Sequence, residues 1–259
     1  MAEDAKALSQ QRFAERAARY VQSSDHATGD DLERLVALAN PQAQWEMLDI
    51  ATGGGHTALA FAPWVAHVVV TDIAPEMLQA AEIHLMDKGV RNATYRIADA
   101  EALPFDAGSF DLVTCRIAAH HFPNCRGFVS EVARVLKAAG RFVLQDQVVP
   151  ADPPTAEAIN AIERLRDPSH HWAFSENAWA AMFREAGLVV LHTEQIMKRH
   201  ELRAWAARQD CSEATLAQLL SLFRGAPPLV REWLRPDRLD APDATFVNAH
   251  LLMVGTKAR

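Results

Sequence analysis

The chain has 259 residues, 49% hydrophobic and 23% charged, an ordinary composition for a globular protein with one full core. A formal charge of −7 argues against a broad phosphate-binding face, and so against nucleic acid as a partner. Cys115, Cys125 and Cys211 form no C-x-x-C pair and no zinc spacing, so no metal is expected and the thiols suit a reducing cytoplasm. The charged N-terminus does not read as a signal peptide, and no apolar run approaches the roughly 18 residues of a membrane span.

Residues 4–22 read as a helix with Phe13, Ala17 and Tyr20 on one face. Ser23–Asp30 breaks that pattern, and a second helix carries Leu32, Leu35, Val36 and Ala39 before Asn40-Pro41 stops it. Short apolar strands are then expected at 46–50, 67–71, 93–97, 110–115 and 140–146, alternating with helices at 55–62, 75–88 and 126–138. Gly140 falls where a C-cap glycine would end the third of these helices. Beyond Pro150 a helix opens at Asp152-Pro-Pro-Thr155 and a loop follows at 166–172. Another helix, capped by Ser175, then ends at Gly187. Strands at 188–197 and 244–257 enclose a charged helical stretch. The expected fold class is α/β, a doubly wound, Rossmann-like, seven-stranded and mostly parallel sheet with a small helical cap. One domain spans 1–259: a helical lid (1–45), a cofactor-binding core (46–150), cap insertions (151–175 and 198–243) and the last two strands.

The stretch Leu48-Asp-Ile-Ala-Thr-Gly-Gly-Gly-His-Thr-Ala-Leu59 reads as a buried strand, a glycine-rich turn and a helix start. Such a turn lets backbone approach a cofactor closely. The next strand ends on Asp72, an acid placed to take a ribose diol, so an adenosyl cofactor is expected across the strand ends. The dinucleotide pattern G-x-G-x-x-G does not fit. The acid at the head of the turn, Asp49, would repel a phosphate and favour a cationic sulfonium.

Here the sequence resembles the class I S-adenosylmethionine-dependent methyltransferases. Leu48–Leu59, Val68–Asp72, Ile97–Phe105, Asp111–Phe122 and Val132–Leu144 resemble their successive motifs in order and spacing. The resemblance is closest to the ubiquinone/menaquinone-biosynthesis branch and weakest in the last sixty residues. It implies S-adenosyl-L-methionine as cofactor, bordered by Asp49 and the Ala51, Thr52, Gly53 and Gly55 backbone at the methionine part. It further implies Asp72 at the ribose, Ile73 beside the adenine with Met77 near it, and Asp99 and Ala100 at the adenine amino edge. Arg116 would lie below the methyl group. Ala51 replaces a commoner glycine, and its backbone is expected not to be left-handed.

Methyl transfer is an in-line displacement, so alignment matters most and a base is needed only for weakly nucleophilic acceptors. His120 and His121 follow the fourth strand and His170 sits in the cap loop; these are the candidate catalytic residues. His120 and His121 could instead cap or pack between strand and helix, and His170 could only hydrogen-bond loop backbone beside Pro168. His26 falls in the N-terminal turn, while His171, His192 and His200 read as surface residues. Tyr20 and Phe13 could close an aromatic lid on a sulfonium. Phe13 could equally pack the first helix. Trp172, Phe174, Trp179 and Phe223 could line an apolar acceptor pocket or belong to the core. Cys115 could lie near the methyl group, and Arg166 could clamp an anion or pair with Asp167 or Asp152.

The expected activity is methylation of oxygen or carbon on a small, partly apolar molecule, quinone-like or a natural product. The alternatives are a non-methylating binder of the same cofactor, acting as lyase or rearrangement catalyst, and a tRNA or protein methyltransferase. The acceptor and the oligomeric state, a homodimer included, are left open.

Overall fold

The computed structural model describes residues 2–17 and 30–258. Seven strands form one sheet in the order β3-β2-β1-β4-β5-β7-β6. β1 (Glu46–Ile50), β2 (His67–Asp72), β3 (Ala93–Ile97), β4 (Phe110–Arg116) and β5 (Leu136–Val148) run parallel. β7 (Thr245–Lys257) is antiparallel between β5 and β6 (Leu188–Glu201). The strand order reverses between β1 and β4, and in open sheets of this kind ligands collect outside the carboxyl ends of the strands at that point.

The central strands β1, β2, β4 and β5 are largely buried on both faces, and each face has its own core. On one face α5 (Cys125–Val135) and α7 (Glu176–Glu185) bring Phe128, Val132, Met182 and Phe183 against Phe142 and Leu144. On the other, α2 (Asp30–Ala39), α3 (His56–Phe61) and α4 (Pro75–Asp87) pack Leu35, Phe61 and Leu85 on Val68 and Val70. α1 (Ala2–Ala14) lies near α4, and Ala17 packs with Ala74 and Met77. Tyr20, His26 and most of the expected break at 23–30 lie outside the described residues.

The cap is a third core. α6 (Pro153–Arg166), α8 (Leu202–Ala207), α9 (Glu213–Arg224) and α10 (Pro228–Leu234) bury Ile159, Trp205, Leu219 and Phe223 around Phe246 of β7. Asp152 caps α6 and Ser175 caps α7, accepting from Thr155 N (3.0 Å) and Ala178 N (3.3 Å).

Two boundaries differ from expectation. The helix before β5 ends at Val135, and Gly140 lies inside β5 rather than at a C-cap. Leu136 already pairs with Phe110, Ala139 takes φ 61°, and regular pairing resumes at Arg141–Leu112. A Cβ at residue 140 would stand 2.9 Å from Lys137 O, so the glycine serves a close approach of backbones at this bulge. β6 runs on through Glu201, so the cap helices begin at Leu202. Phe246–Asn248 of β7 pair with β6 alone, Thr245 also bridges to Asp237, and the two strands form a ribbon that rises beyond the sheet.

Gly55 heads α3 with φ 80°, and a Cβ there would lie 2.7 Å from Leu85 Cδ1. Gly55→Ala is expected to lower unfolding free energy by about 1–3 kcal/mol through overpacking and the left-handed backbone. Thermal denaturation at the wild-type midpoint would contradict this.

Candidate active site

The turn after β1 is held from below. Asp49, 1% exposed, accepts Thr114 Oγ1 on one oxygen and Thr52 Oγ1 on the other, both at 2.6 Å. Thr71 Oγ1 donates to Asp49 O (2.9 Å), and Thr52 N donates to Thr71 O (2.9 Å). These bonds pin β1, β2, β4 and the turn together. They hold Ala51 at φ 52°, left-handed against expectation, where an L-residue carries about 1–2 kcal/mol of steric cost. Burial pushes the Asp49 carboxyl up to about 6, opposed by its two threonine donors and by Arg116.

A cavity of about 1030 Å³ runs along the carboxyl ends of the strands, at the top of the roughly 300–1,000 Å³ usual for ligand pockets. Ala51, Thr52, Gly53, Asp72, Ile73, Met77, Asp99, Ala100 and Arg116 line it. Asp49 and Gly55 do not. Asp49 faces down into the threonine cluster, and Gly55 packs against α4. Both support the turn rather than border the space above it.

Asp72, 6% exposed, accepts from Gly53 N (3.1 Å) and Ala74 N (3.0 Å), so it braces the turn and the entry to α4 while facing the cavity. Burial raises its carboxyl to about 6, offset by backbone N–H groups only. Asp99 accepts Glu101 N (2.9 Å) and Lys6 Nζ (2.6 Å). Lys6 also pairs with Glu101 (2.5 Å), which lays α1 over this end of the cavity.

At the opposite end three histidines converge. The ring centroid of His120 is 4.2 Å from that of His121 and 5.3 Å from that of His170. His120 donates from Nδ1 to Asp146 Oδ1 (2.6 Å), and its backbone N donates to Asp146 Oδ2 (2.7 Å). Burial resists charging His120, but Asp146, aided by Glu163 and Asp167, outweighs it and raises the pKa above 6.5. His121 donates from Nδ1 to Ser169 O (2.9 Å), with Phe13 edge-on at 4.9 Å. Burial and the adjacent His120 pull its pKa down to about 4. His170 Nε2 contacts Asn160 Oδ1 (2.7 Å), an oxygen that also accepts Ala173 N, so His170 carries its proton on Nε2. Burial, then His120 and His121, keep it neutral.

Phe13 therefore lines the cavity as well as packing α1. Trp172, Phe174, Trp179 and Phe223 do not line it: Trp179 and Phe223 are sealed in the two cores, and Trp172 stacks under Arg164. Cys115 is 1% exposed in the sheet core, away from the cavity, and burial pushes its thiol well up. Arg166 pairs with neither Asp167 nor Asp152. Its Nε donates to Trp205 O (3.0 Å) and its guanidinium lies over that indole. His171 is exposed, whereas His200 lines the cavity because β6 extends past its expected end.

Asp146, Asp31, Gln147, Asn160, Asn248 and His250 were not singled out by sequence. One signal was available: Asn248-x-His250 interrupts an otherwise apolar final strand at the two-residue spacing of a single face. Asp146, Gln147 and Asn160 gain meaning only when β5 and α6 are brought together, and Asp31 only when α2 meets Arg116, Gln145 and Lys198.

Asp49 supplies a pH test. Its pKa is raised from 3.8 to about 6, so the stability it contributes is complete below 3.8 and lost as pH rises through about 6. Asp49→Asn is expected to flatten that loss, its melting temperature relative to wild type increasing from pH 4 to 7. A constant difference would contradict the assignment.

Comparison with known proteins agrees with this architecture. Residues 48–144 match the family model described as a methyltransferase domain. The chain is 45% identical over 171 residues to the uncharacterized methyltransferase YcgJ of Bacillus subtilis, covering 66% of this chain and 68% of that protein. It is 29% identical over 191 residues to a demethylmenaquinone methyltransferase of Clavibacter sepedonicus, covering 74% and 77%. The crystal structure of the B. subtilis YcgJ protein superposes with a TM-score of 0.85 at 35% identity, covering 88% of this chain and 98% of that one. The chain belongs to the methyltransferase-domain family, built on a seven-stranded Rossmann-like sheet.

Proposed function

We propose that the protein transfers a methyl group from S-adenosyl-L-methionine to oxygen or carbon of a small acceptor, with His120 as general base. The observation that carries the base is the His120–Asp146 pair, which holds one imidazole nitrogen and leaves Nε2 toward the cavity. His121 and His170, held neutral and bonded to Ser169 and Asn160, position the acceptor and His120 instead.

The residues at the other end fit the cofactor. Asp72 is a buried carboxylate met by backbone N–H groups alone among the described residues, and two ribose hydroxyls would complete it. Ile73 and Met77 offer apolar faces, Asp99 an acceptor once Lys6 yields it, and the bare backbone at Gly53 has open space before it. When bound, the cofactor supplies an electrophilic methyl group on a sulfonium that departs as a neutral thioether.

Among the chain's own groups the proton path is short. The acceptor's hydroxyl or acidic C–H gives its proton to His120 Nε2, and Asp146 stabilises the imidazolium that results. α1, through Lys6, Ser9 and Phe13, and the cap, through Arg166 and Trp205, wall the site above the strand ends. Similarity to a demethylmenaquinone methyltransferase is in keeping with a hydroxylated, quinone-like ring as acceptor.

Isothermal titration should detect binding of S-adenosylmethionine and S-adenosylhomocysteine, and Asp72→Asn should weaken both by about 10- to 100-fold, the worth of charge-assisted hydrogen bonds. No binding of either by the wild-type chain would end this reading. With a turned-over acceptor, His120 must be neutral to act, so kcat/KM should rise with pH through a midpoint above 6.5. Asp146→Asn should shift that limb to lower pH and slow the reaction by about 10²- to 10⁴-fold. An unmoved limb would exclude His120 as the base.

A further inference from the structure

The ribbon of β6 and β7 forms one wall of the cavity. Ile196, Lys198 and His200 alternate along β6 and lie directly opposite His250, Asn248 and Phe246 of β7. All but Phe246 line the cavity. Lys198 Nζ donates to Asp31 Oδ2 (2.7 Å) and Asn248 Nδ2 reaches Glu163 Oε1 (3.3 Å), so each of these side chains makes a bond within the protein, although Asn248 Oδ1 is buried with no partner among the described residues.

His250 differs. It is 6% exposed, and its Nδ1 is buried with no hydrogen-bond partner among the described residues. A buried N–H without an acceptor costs about 1–3 kcal/mol, and such donors are rarer in proteins than under-used lone pairs. Nδ1 is therefore the bare nitrogen and Nε2 carries the proton. Because the ring lines the cavity and Nδ1 is occluded, Nε2–H is the edge presented to the cavity. Burial, then Lys198 and His200, then His120 and Arg116, keep the ring neutral. A neutral imidazole with a fixed tautomer cannot act as an acid near neutrality, but it is a directed hydrogen-bond donor.

We infer that His250 is an acceptor-recognition residue, donating from Nε2 to a carbonyl or carboxylate oxygen of the molecule whose neighbouring hydroxyl faces His120. The acceptor class is thus a hydroxy-carbonyl compound, of the kind in which an oxygen acceptor lies beside the group to be methylated. Gln147 of β5 pairs directly with His250 in the sheet, and Asp146 next to it holds His120. Donor and base are thus tied to consecutive residues of β5, whose side chains leave opposite faces of the strand, and both rings line the cavity above the strand ends. This assignment rests on the methyltransferase reading above, and its test separates the two.

Two measurements test it. Nitrogen-15 histidine spectra of the free chain, with His250 assigned by its loss in His250→Gln, should show a neutral Nε2–H ring at pH 6; an Nδ1–H or charged ring overturns the inference. The chain saturated with S-adenosylhomocysteine should then bind 2-hydroxybenzoate or 2-hydroxyacetophenone at least tenfold more tightly than phenol in isothermal titration. His250→Phe should erase that preference, and His250→Gln, whose amide can still donate, should keep part of it. Equal affinity for all three probes, or a preference that survives in His250→Phe, overturns the recognition role. Failure to bind S-adenosylhomocysteine at all strikes the underlying reading instead.

Discussion

Asp49 receives the hydroxyls of Thr52 and Thr114 beneath the glycine-rich turn, and this sealed carboxylate joins β1, β4 and the turn into one rigid unit. A carboxylate out of water is expensive, and short bonds from two hydroxyls offset only part of that cost. The return is geometric. The backbone from Ala51 to Gly53 is held at the cavity edge in a conformation that an L-residue resists, and Asp72 is braced beside it through Gly53 N. Rigid placement of this kind is what an alignment-limited reaction requires.

The three clustered histidines illustrate how environment divides labour among identical side chains. All are largely buried within one pocket wall, yet only His120 has a carboxylate partner; its neighbours bond to a carbonyl and an amide oxygen. Each positive charge would repel the next, so the cluster supports one imidazolium, and Asp146 decides which ring carries it. Asn160 extends this order into the cap, because its oxygen bonds both His170 and the backbone of Ala173.

The sheet and most of the cavity floor were legible in the sequence because both depend on local patterns. Strand alternation, the consecutive glycines and the acid ending β2 announce themselves within a few residues. Failures came where a long-range contact sets local geometry. Ala51 is left-handed because threonines on other strands fix the turn, and Gly140 is a strand glycine because Lys137 and Asp111 carbonyls crowd it. Asp49 resembled a ligand-facing acid until its hydroxyl partners showed which way it points. Trp172, Phe174, Trp179 and Phe223 could be read as pocket or core, because hydrophobic spacing cannot distinguish a lining from a core. Asp146 and His250 have no meaning until strands distant in sequence become neighbours.

The cap helices α8 to α10 are spliced between the two strands of the ribbon, which pair without a register shift from His192–Val254 to Glu201–Thr245. Ladder hydrogen bonds, not cap packing, thus fix where Lys198, Asn248 and His250 stand. The helices can be exchanged, lengthened or repacked while the strand pair still delivers its side chains at the same height over the strand ends. In this architecture the cap works as a replaceable cartridge, and a new acceptor could be accommodated without disturbing the grip on the donor.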